Sequence, residues 1–323
     1  MILLTGATGF VGSAIARALY AAGTEFIALL RESSDPSLTT ALGVPVRYAD
    51  VNDPQALLEA FTGIDTIIHT AAVVSFQPED RDRMMFVNGE GTANVVNMAL
   101  EAGVRRLIHL SSVAALDRQD GGPVVTLKNR WPETRPNTSY GESKFAAERE
   151  VWRGQAEGLE VAVLYPSLIL GPGDFNGHNT PSLWRMAAQE RGFYPEGSTG
   201  LVALEDVVAA VIAVLERDTD GDRFLLNAAN LSWKEVLTLL AKSIGKKPPG
   251  LAVPRWQSAL LWPVEKVRTS LTGTRPLITK ESHRNVQASF RYDGSGFREL
   301  TGRDYRDIGT VIESIGQRYL AAN

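Results

Sequence analysis

The sequence predicts an α/β fold in which a doubly wound parallel sheet carries helices on both faces. Three observations indicate this fold. Short apolar runs alternate with longer amphipathic segments through the first 172 residues, glycines follow the first apolar run directly, and the alternation stops after Pro172. Ligands of such sheets bind beyond the carboxyl ends of the strands, so functional residues are expected just after each strand.

The strands are predicted from the apolar runs, and the helices from the amphipathic segments between them. Predicted strands cover Ile2–Thr5, Phe26–Arg31, Val44–Asp50, Thr66–Ala71, Leu107–Ser111 and Val161–Tyr165. Predicted helices follow Gly12 and cover Pro54–Phe61, Asn88–Ala102 and Ser139–Gln155. This order of elements is typical of βα units, whose strands pair in parallel.

Residues beyond Pro172 predict a smaller lobe that is interleaved with the sheet domain. They contain Pro- and Gly-rich loops and two predicted helices, Asp206–Glu216 and Trp233–Ile244. We assign residues 1–172 to the sheet domain, which also receives residues 201–230, and residues 173–200 and 231–323 to a substrate-binding lobe.

One stretch of this lobe is basic, since Lys242 to Arg306 contains 13 Lys and Arg against 5 Asp and Glu. Within it an apolar stripe recurs at helical spacing, although Pro263 interrupts it. The stripe consists of Trp256, Leu260, Val264, Val267 and Leu271. Besides a core-covering helix, this pattern allows a lid over an anionic substrate or a contact with acidic lipid.

Composition excludes several classes of function. The 323 residues carry 33 Lys and Arg against 37 Asp and Glu, a net charge of −4, so no overall positive field attracts nucleic acid. The absence of cysteine excludes thiol catalysis, disulfides and thiolate metal sites. The four histidines are far apart and lack metal-ligand spacing, so no metal is predicted.

The expected location is the cytoplasm. The longest apolar run near the middle, Val207–Leu215, is far shorter than the roughly 18 residues of a membrane span, so we expect no integral membrane segment. Met1 to Leu4 lead directly into the glycines as a strand and do not resemble a signal peptide. The lack of cysteine is compatible with a reducing compartment.

A glycine-rich turn follows the first predicted strand, with the sequence Thr5-Gly6-Ala7-Thr8-Gly9-Phe10-Val11-Gly12. Glycines there allow a sharp turn and a close backbone approach to a pyrophosphate, which the N-terminus of the next helix stabilises. A lone glycine triplet is weak, but its place between strand and helix favours a Rossmann dinucleotide site. The predicted cofactor-binding residues of this turn are Gly6, Thr8, Gly9, Phe10, Val11 and Gly12.

The end of the second predicted strand bears on the choice of cofactor. A Rossmann site for NAD carries an acidic residue about 20 residues past the glycines, whereas an Arg accommodates the 2′-phosphate of NADP. Arg31 occupies this place, and Ser33 and Ser34 offer further donors. Glu32 weakens the attraction for a phosphate. The prediction is therefore NADP, with NAD as the alternative.

A proton-transfer pair is predicted at the start of the fourth helix. Tyr140 and Lys144 are four residues apart, so their side chains lie on one helix face. Tyrosine has a pKa of about 10, and lowering it by about three units through the neighbouring ammonium requires roughly 4 kcal/mol. Isolated, such a pair is more often a solvated face, but behind a dinucleotide motif it favours acid–base catalysis.

Together these motifs resemble the extended short-chain dehydrogenase/reductases of the NAD-dependent epimerase/dehydratase superfamily, and the resemblance covers essentially the whole chain. The glycines are spaced G-x-x-G-x-x-G, and the other matching segments are Asp50-Val51-Asn52-Asp53, His69-Thr70-Ala71-Ala72, Asn88-Gly89-Glu90-Gly91-Thr92, Ser111-Ser112, Tyr140-Gly141-Glu142-Ser143-Lys144 and Pro166-Ser167. The paired serines are most similar to the branch of dihydroflavonol reductase, cinnamoyl-CoA reductase and 3β-hydroxysteroid dehydrogenase.

The resemblance implies roles for individual residues. Ser112 polarises the substrate oxygen, with Ser111 as the alternative hydroxyl; Tyr140 is the general acid or base; Lys144 also holds the nicotinamide ribose. Implied cofactor contacts are Asp50 and Val51 at the adenine, Ala71 and Ala72 at the phosphates and ribose, Ser111, Tyr140 and Lys144 at the reacting end, and Pro166, Ser167 and Leu168 at the nicotinamide. Asn88 either joins the relay or binds backbone.

We therefore predict an NADP-preferring oxidoreductase that moves hydride between nicotinamide and a carbonyl or secondary alcohol of a mainly apolar small molecule. The alternatives are an epimerase or dehydratase of sugar nucleotides that retains NAD, and a redox sensor without turnover. Three residues lean against the epimerase: Arg31, Val113 and Tyr165. Sugar-nucleotide epimerases of the family usually carry Ser or Thr in place of Val113. Many members carry Arg in place of Tyr165, so the substrate mouth is expected to lack one basic group. The resemblance implies a homodimer or a monomer.

Apolar side chains beyond the strand ends are the predicted lining of the substrate pocket. The candidates are Val73 to Phe76, Val113 to Leu116, Trp131, Phe175, Trp184 and the region around Phe193. Core packing explains about half of such a set.

Overall fold

The structure, a computed structural model, describes residues 1–118, 121–129, 138–175, 180–217, 220–258 and 280–323. Its strands are β1 Ile2–Thr5, β2 Phe26–Leu30, β3 Val46–Tyr48, β4 Thr66–His69, β5 Arg106–Leu110, β6 Glu160–Pro166, β7 Leu168–Leu170, β8 Phe193–Pro195, β9 Ser198–Ala203, β10 Asp222–Leu226, β11 Ala229–Ser232 and β12 Leu251–Val253. Its helices are α1 Phe10–Ala21, α2 Ser37–Leu42, α3 Pro54–Ala60, α4 Arg81–Met84, α5 Gly91–Glu101, α6 Ser139–Ala156, α7 Ser182–Ala188, α8 Leu204–Leu215, α9 Trp233–Ser243, α10 Arg255–Ser258, α11 Lys280–Gln287, α12 Gly296–Thr301 and α13 Ile308–Ala322.

The central sheet has seven parallel strands in the order β10-β6-β5-β4-β1-β2-β3. The chain runs outward from β1 through β2 and β3, then returns to the other side of β1 with β4. This order confirms the predicted doubly wound sheet. It also places a crevice between the carboxyl ends of β1 and β4, where such folds bind their ligands.

Both faces of the sheet are buried because successive side chains of each strand point in opposite directions. Leu3, Ile67 and Leu107 pack on one face beneath α3, α5 and α6. Leu4 and Ile68 pack on the other face beneath α1 and α8. The strands therefore read as continuous apolar runs.

A third core lies beside the sheet, among residues from β7, β9, α7, α9 and α13. Trp184, Val236 and Ile312 are fully or almost fully buried within it. Two small sheets, β11-β9-β7 and β12-β8, belong to this part of the chain. In contrast α8 and β10 pack with the seven-stranded sheet.

The predicted element boundaries differ from the observed ones by a few residues. Arg31, Asp50, Ala71 and Ser111, which were predicted as strand termini, lie in the loops just past their strands. The helix predicted from Asn88 begins instead with a π-helical segment, Met85–Glu90, which continues into α5. The residues predicted to be functional therefore cluster at the loop edge of the sheet.

Of the apolar stripe predicted within the basic stretch, the structure describes Trp256, whose side chain is exposed. Leu260, Val264, Val267 and Leu271 lie outside the described residues, as do Trp131 and His178. Within the described ranges, no helix is long and apolar enough to cross a membrane.

Candidate active site

The glycine turn between β1 and α1 is built so closely that side chains are excluded. Gly6 has φ +71°, and a Cβ there would lie 2.8 Å from the backbone nitrogen of Ala71. A Cβ on Gly12 would overlap the carbonyl oxygen of Gly6. Helix α1 starts directly after Gly9, whose position as N-cap brings no side-chain cap to the first N–H groups. This cradle fits the phosphates of a dinucleotide.

Hydrogen bonds tie the end of β1 to the loop after β4. The Thr70 hydroxyl donates to the Thr5 carbonyl at 2.7 Å, and the backbone nitrogens of Thr70 and Ala71 both donate to the Thr5 hydroxyl at 3.2 Å. The same hydroxyl is 2.8 Å from Nδ1 of His69. Ala71 and Ala72 are thereby held beside Gly6, at the crevice between the strands.

The ends of β2 and β3 lie along the same edge. Arg31 is exposed directly after β2, which pairs in parallel with β1. Past β3, the Asp50 carboxylate accepts a bond from the backbone nitrogen of Asn52 at 2.9 Å, and Val51 is buried. A Cβ on Gly91 would lie 2.8 Å from Cγ2 of Val51, so α5 packs tightly here.

Asn88 holds backbone and does not point a free donor into the site. Its Oδ1 accepts from the Val73 nitrogen at 2.7 Å, and its Nδ2 donates to the Val73 carbonyl and to the Ser143 hydroxyl, both at 2.9 Å. Both amide hydrogens are therefore used. Asn88 joins the loop after β4 to α6, one residue before Lys144.

The paired serines after β5 point to different partners. Ser111 is buried, and its hydroxyl donates to Glu148 at 3.3 Å. The Ser112 hydroxyl accepts from the backbone nitrogen of Ala114 at 3.1 Å, and the same side chain is near enough to Tyr140 to oppose the rise of its pKa. Ser112 is thus the serine beside Tyr140, whereas Ser111 turns to Glu148.

Tyr140 and Lys144 face the same region from the first turns of α6, which Thr138 caps by accepting from the Gly141 nitrogen. Lys144 is almost fully buried, and its Nζ donates to the carbonyl oxygen of Leu110 at 2.7 Å. Burial lowers the pKa of Lys144 to about 8, although the charge of Glu148 opposes this shift.

The pKa of Tyr140 shifts in the direction opposite to our prediction. Burial of the hydroxyl raises this pKa to about 12, while the hydrogen bond with Ser112 opposes the rise. The desolvation of a buried phenolate outweighs the favourable groups around it. In the protein alone, Tyr140 is consequently a proton donor at neutral pH.

The end of β6 leads directly from the core into the site. The Ser167 nitrogen donates to the Leu226 carbonyl at 2.9 Å, and Leu168 begins β7. The Ser167 hydroxyl is buried, and among the described residues it has no hydrogen-bond partner. A buried hydroxyl without a partner fits a polar group of a bound ligand, such as the nicotinamide predicted beside Pro166.

Most of the predicted pocket residues belong to the core. Phe175 and Trp184 stack edge to face, with ring centroids 6.5 Å apart, inside the third core. Val113 to Leu116 are also buried. Phe76 remains exposed, and its ring lies 6.5 Å from that of Tyr140; Phe193 is exposed on β8.

The inference drawn from Tyr165 was wrong. This residue was expected to leave the substrate mouth without a basic group, but its side chain is completely buried and donates to Glu148 at 2.6 Å. Its position therefore does not discriminate between substrates. Moreover, Arg223 of β10 lies over its ring.

Sequence reasoning missed Glu148, whose carboxylate accepts hydrogen bonds from the side chains of Ser111, Tyr165 and Trp152. The spacing of Tyr140, Lys144 and Glu148, four residues each, was a visible signal for it. No such signal exists for Arg223, because only the sheet topology brings β10 beside β6. Within the described part of the chain, no cluster of His, Asp or Glu has the arrangement of a metal site.

Comparison with known proteins agrees with this geometry. The chain is 31% identical over 320 residues to sterol demethylase protein B of Methylococcus capsulatus, covering 97% of this chain and 94% of that one. It is 29% identical to cinnamoyl-CoA reductase 1 of Petunia hybrida over 264 residues, covering 77% of this chain and 78% of that one. The solved structure of gox2253 superposes with a TM-score of 0.84 at 28% identity, covering 99% of this chain and 98% of that one.

A protein-family model matches one continuous part of the chain. Residues 2–227, from the first residue of β1 to just past β10, match the model described as the NAD dependent epimerase/dehydratase family. The matched part contains the glycine turn, both serines, and the tyrosine and lysine of α6. The chain belongs to the NAD-dependent epimerase/dehydratase family.

Proposed function

We propose that the protein is an NADP-preferring oxidoreductase that transfers hydride between the nicotinamide and a carbonyl or secondary alcohol of a mainly apolar small molecule. The placement of Ser112, Tyr140 and Lys144 around one point, with Lys144 bound to the Leu110 carbonyl two residues before Ser112, carries this proposal. Two hydroxyls that converge on one point can both hydrogen-bond one substrate oxygen, the first polarising it and the second passing a proton. The bound cofactor supplies the hydride.

These residues can serve the reduction of a carbonyl. The pKa of Tyr140, raised to about 12 by burial, keeps the hydroxyl protonated at neutral pH. A protonated tyrosine can donate to the alkoxide that forms when a carbonyl is reduced. Lys144, held by the Leu110 carbonyl, places an ammonium beside the same point and contributes a donor for the ribose.

The preference for NADP rests on the edge of the sheet. Arg31 is exposed just past β2, at the place where a Rossmann site meets the 2′ position of the adenosine ribose. Its planar guanidinium can bind a phosphate with two parallel hydrogen bonds. Asp50 and Val51 border the adenine in this proposal, and Ser167 meets the nicotinamide.

The substrate class is proposed from the relatives and from the site. The relative in M. capsulatus is named for a sterol and the one in P. hybrida for cinnamoyl-CoA. In the site, the exposed ring of Phe76 lies 6.5 Å from the ring of Tyr140 and offers an apolar surface to a substrate. We extend only the coarse class, a mainly apolar molecule with a carbonyl or a secondary alcohol.

The decisive experiment combines cofactor titration with a tyrosine variant. Fluorescence titration of nucleotide-free protein is expected to show tighter binding of NADPH than of NADH. NADPH oxidation is then followed with a panel of apolar ketones and aldehydes. Tyr140→Phe should reduce turnover by about 10³-fold, because general acid catalysis is lost, while NADPH binding stays within a factor of about three.

The rival functions give different results in the same experiment. NAD that copurifies and does not exchange would replace the proposed reductase by an epimerase or dehydratase, which the family also contains. Binding without turnover, and unchanged by Tyr140→Phe, would instead identify a redox sensor.

A further inference from the structure

A buried carboxylate lies one helical turn beyond Lys144. Glu148 is 6% exposed, and its two oxygens accept hydrogen bonds from side chains on three different elements. Oε1 accepts from the Tyr165 hydroxyl at 2.6 Å and from Nε1 of Trp152 at 3.0 Å, and Oε2 accepts from the Ser111 hydroxyl at 3.3 Å. A carboxylate that only accepts is satisfied in its ionised form.

The partners of Glu148 are themselves held from the edge of the sheet. Nε of Arg223 donates to the Tyr165 hydroxyl at 3.1 Å, and another of its nitrogens is 3.9 Å from Oε1 of Glu148. The guanidinium lies 5.2 Å from the centre of the Tyr165 ring and 5.8 Å from that of Trp152. This cluster of Glu148, Tyr165, Trp152 and Arg223, the Glu148 cluster, spans α6, β6 and β10.

The cluster reaches the reacting groups by two routes. Ser111 directly precedes Ser112 and follows Leu110, whose carbonyl oxygen accepts from Lys144. The hydrogen bond that Ser111 donates to Glu148 therefore fixes the backbone that carries Ser112 and the Leu110 carbonyl, which accepts from Lys144. In addition, the negative charge of Glu148 acts on the ammonium of Lys144 across one helical turn.

We infer that Glu148 is a positioning residue, whose carboxylate fixes the Ser111–Ser112 segment and balances the charge of Lys144. This role rests on the proposed function for its effect on turnover, but its effect on Lys144 is independent of any activity. The titratable groups that face Lys144 are Tyr140 and Glu148 on α6, His69 on β4 and His109 on β5. Both histidines are buried, and burial holds their pKa well below 6.5, so they are neutral at pH 7. The negative charge that faces Lys144 is therefore that of Glu148.

The first test measures Lys144 directly in the cofactor-free protein. Lysines are labelled with ¹³C at Cε, the Lys144 signal is assigned by its loss in Lys144→Arg, and its pKa is followed by NMR. Glu148→Gln keeps the shape and removes the charge, so the pKa of Lys144 should fall by about one unit from its value near 8. An unchanged pKa in a folded Glu148→Gln variant would overturn the electrostatic role.

The matched control is Glu150→Gln, two residues along the same helix. Glu150 is paired with Arg153 at 2.8 Å on the surface of α6. Its loss removes the same charge from the protein, yet solvent screens it from the buried ammonium. The pKa of Lys144 should therefore stay within about 0.2 units; an equal fall in both variants would show a general charge effect and overturn the proposal.

The second test concerns the rate. In Glu148→Gln, kcat for NADPH-dependent reduction should fall about tenfold, and the alkaline limb of kcat/KM should move to lower pH as Lys144 loses its proton earlier. If the unaltered protein has no turnover, the proposed function fails while the NMR titration still decides the role of Glu148. A merely structural role would lower the melting temperature and leave the limb in place.

Glu148→Asp separates the two routes and also serves if Glu148→Gln does not fold. The shorter side chain keeps the charge but cannot reach Ser111 and Tyr165 together. The pKa of Lys144 should be retained while kcat falls. Unaltered kcat in Glu148→Asp would overturn the positioning of the serine segment.

Discussion

The proposed phosphate-binding end of the site and its proposed proton-transfer end are built by different physical means. At the first, Gly6, Gly9 and Gly12 shape a backbone cradle in which almost no side chain takes part. At the second, Tyr140 and Lys144 act through buried polar groups whose pKa values depend on desolvation and on hydrogen bonds. One end depends on close packing of the backbone and the other on electrostatics in a dry environment.

The two ends also differ in the distance along the chain from which they are assembled. The cradle is complete within Gly6 to Gly12, apart from its contact with the loop after β4. The proton-transfer end draws on β5, α6, β6 and β10, with Arg223 lying 79 positions after Lys144. Substitutions should therefore act through sterics at the first end and through charge at the second.

The largest effect is expected from Gly12→Ala at the phosphate-binding end. The new Cβ would overlap the Gly6 carbonyl oxygen, and backbone must move to accept it. We expect NADPH affinity to fall by more than about 100-fold and the free energy of unfolding to fall by about 2–3 kcal/mol. Fluorescence titration and urea unfolding measure the two effects.

Gly9→Ala is the matched control at the same turn. Its Cβ would lie 3.2 Å from the same oxygen, and Gly9 is exposed with a negative φ. The variant should keep nearly full stability, within about 0.5 kcal/mol, and lose only cofactor affinity, because the methyl group meets the ligand. Equal loss of stability in both variants would contradict the steric account of Gly12.

At the proton-transfer end, Lys144→Met should abolish turnover and yet stabilise the fold. Burial depresses the pKa of Lys144 from 10.5 to about 8, so the charged form is disfavoured in the folded protein at neutral pH. Removing the charge should raise the free energy of unfolding at pH 7 by about 2 kcal/mol, after allowance for the lost bond to Leu110. A destabilised variant would make Lys144 a structural residue.

The pH dependence of the unaltered protein tests the same point. Between about pH 8 and 10.5 the unfolded chain keeps a proton on Lys144 that the folded protein has lost. Stability from this group therefore rises with pH through that window. The rise should be absent in Lys144→Met when urea unfolding is compared at pH 7.5 and 10 (roughly the two sides of the window).

A smaller effect is expected from the pair of histidines beneath Lys144. His69 and His109 stack with ring centroids 5.4 Å apart, and burial lowers the pKa of His69 from 6.5 to about 3 and that of His109 well below 6.5. Below about pH 6.5 the unfolded chain binds protons that the folded protein does not, so stability falls with pH. At pH 5 the loss is roughly 2 kcal/mol for His69, and His109 contributes in the same direction.

His109→Leu should reduce this acid sensitivity. Neither ring nitrogen of His109 has a hydrogen-bond partner among the described residues, so an apolar side chain of similar volume is tolerated. The variant should be at least as stable as the parent at pH 7 and lose less stability on acidification to pH 5. If acidification from pH 7 to pH 5 lowered the free energy of unfolding equally in the parent and the variant, this would contradict a buried, neutral His109.

The same contrast explains what the sequence predicted and what it did not. Six of the seven strands of the central sheet were predicted to within a few residues, because a sheet buried on both faces produces continuous apolar runs, whereas β10 and the strands of the two small sheets were not predicted. The glycine turn was predicted because the need for glycine is local and steric. The direction of the Tyr140 pKa shift was wrong, since desolvation depends on everything packed around the hydroxyl.

Contacts between distant segments set the remaining limits. The placement of Tyr165 and Arg223 follows from the pairing of β6 with β10, and no local pattern encodes that pairing. Phe175 and Trp184 were expected in the pocket, but composition does not distinguish an apolar pocket from an apolar core. Ser112 was preferred to Ser111 from resemblance and stays a prediction; no local pattern indicated that the Ser111 hydroxyl donates to Glu148.

The smallest effect is expected at Arg31, an exposed charged residue that directly follows β2, the neighbour of β1 and its glycine turn. Replacement by serine removes the guanidinium but keeps a small donor, as Ser33 and Ser34 also do nearby. Because the site is exposed, its attraction for a phosphate is screened by solvent and salt. We therefore expect about a tenfold loss of NADPH affinity, about 1.4 kcal/mol, and no change for NADH. Equal loss for both cofactors would mean that Arg31 supports the loop and does not read the 2′-phosphate, and a loss that does not shrink as salt is raised would contradict a screened surface contact.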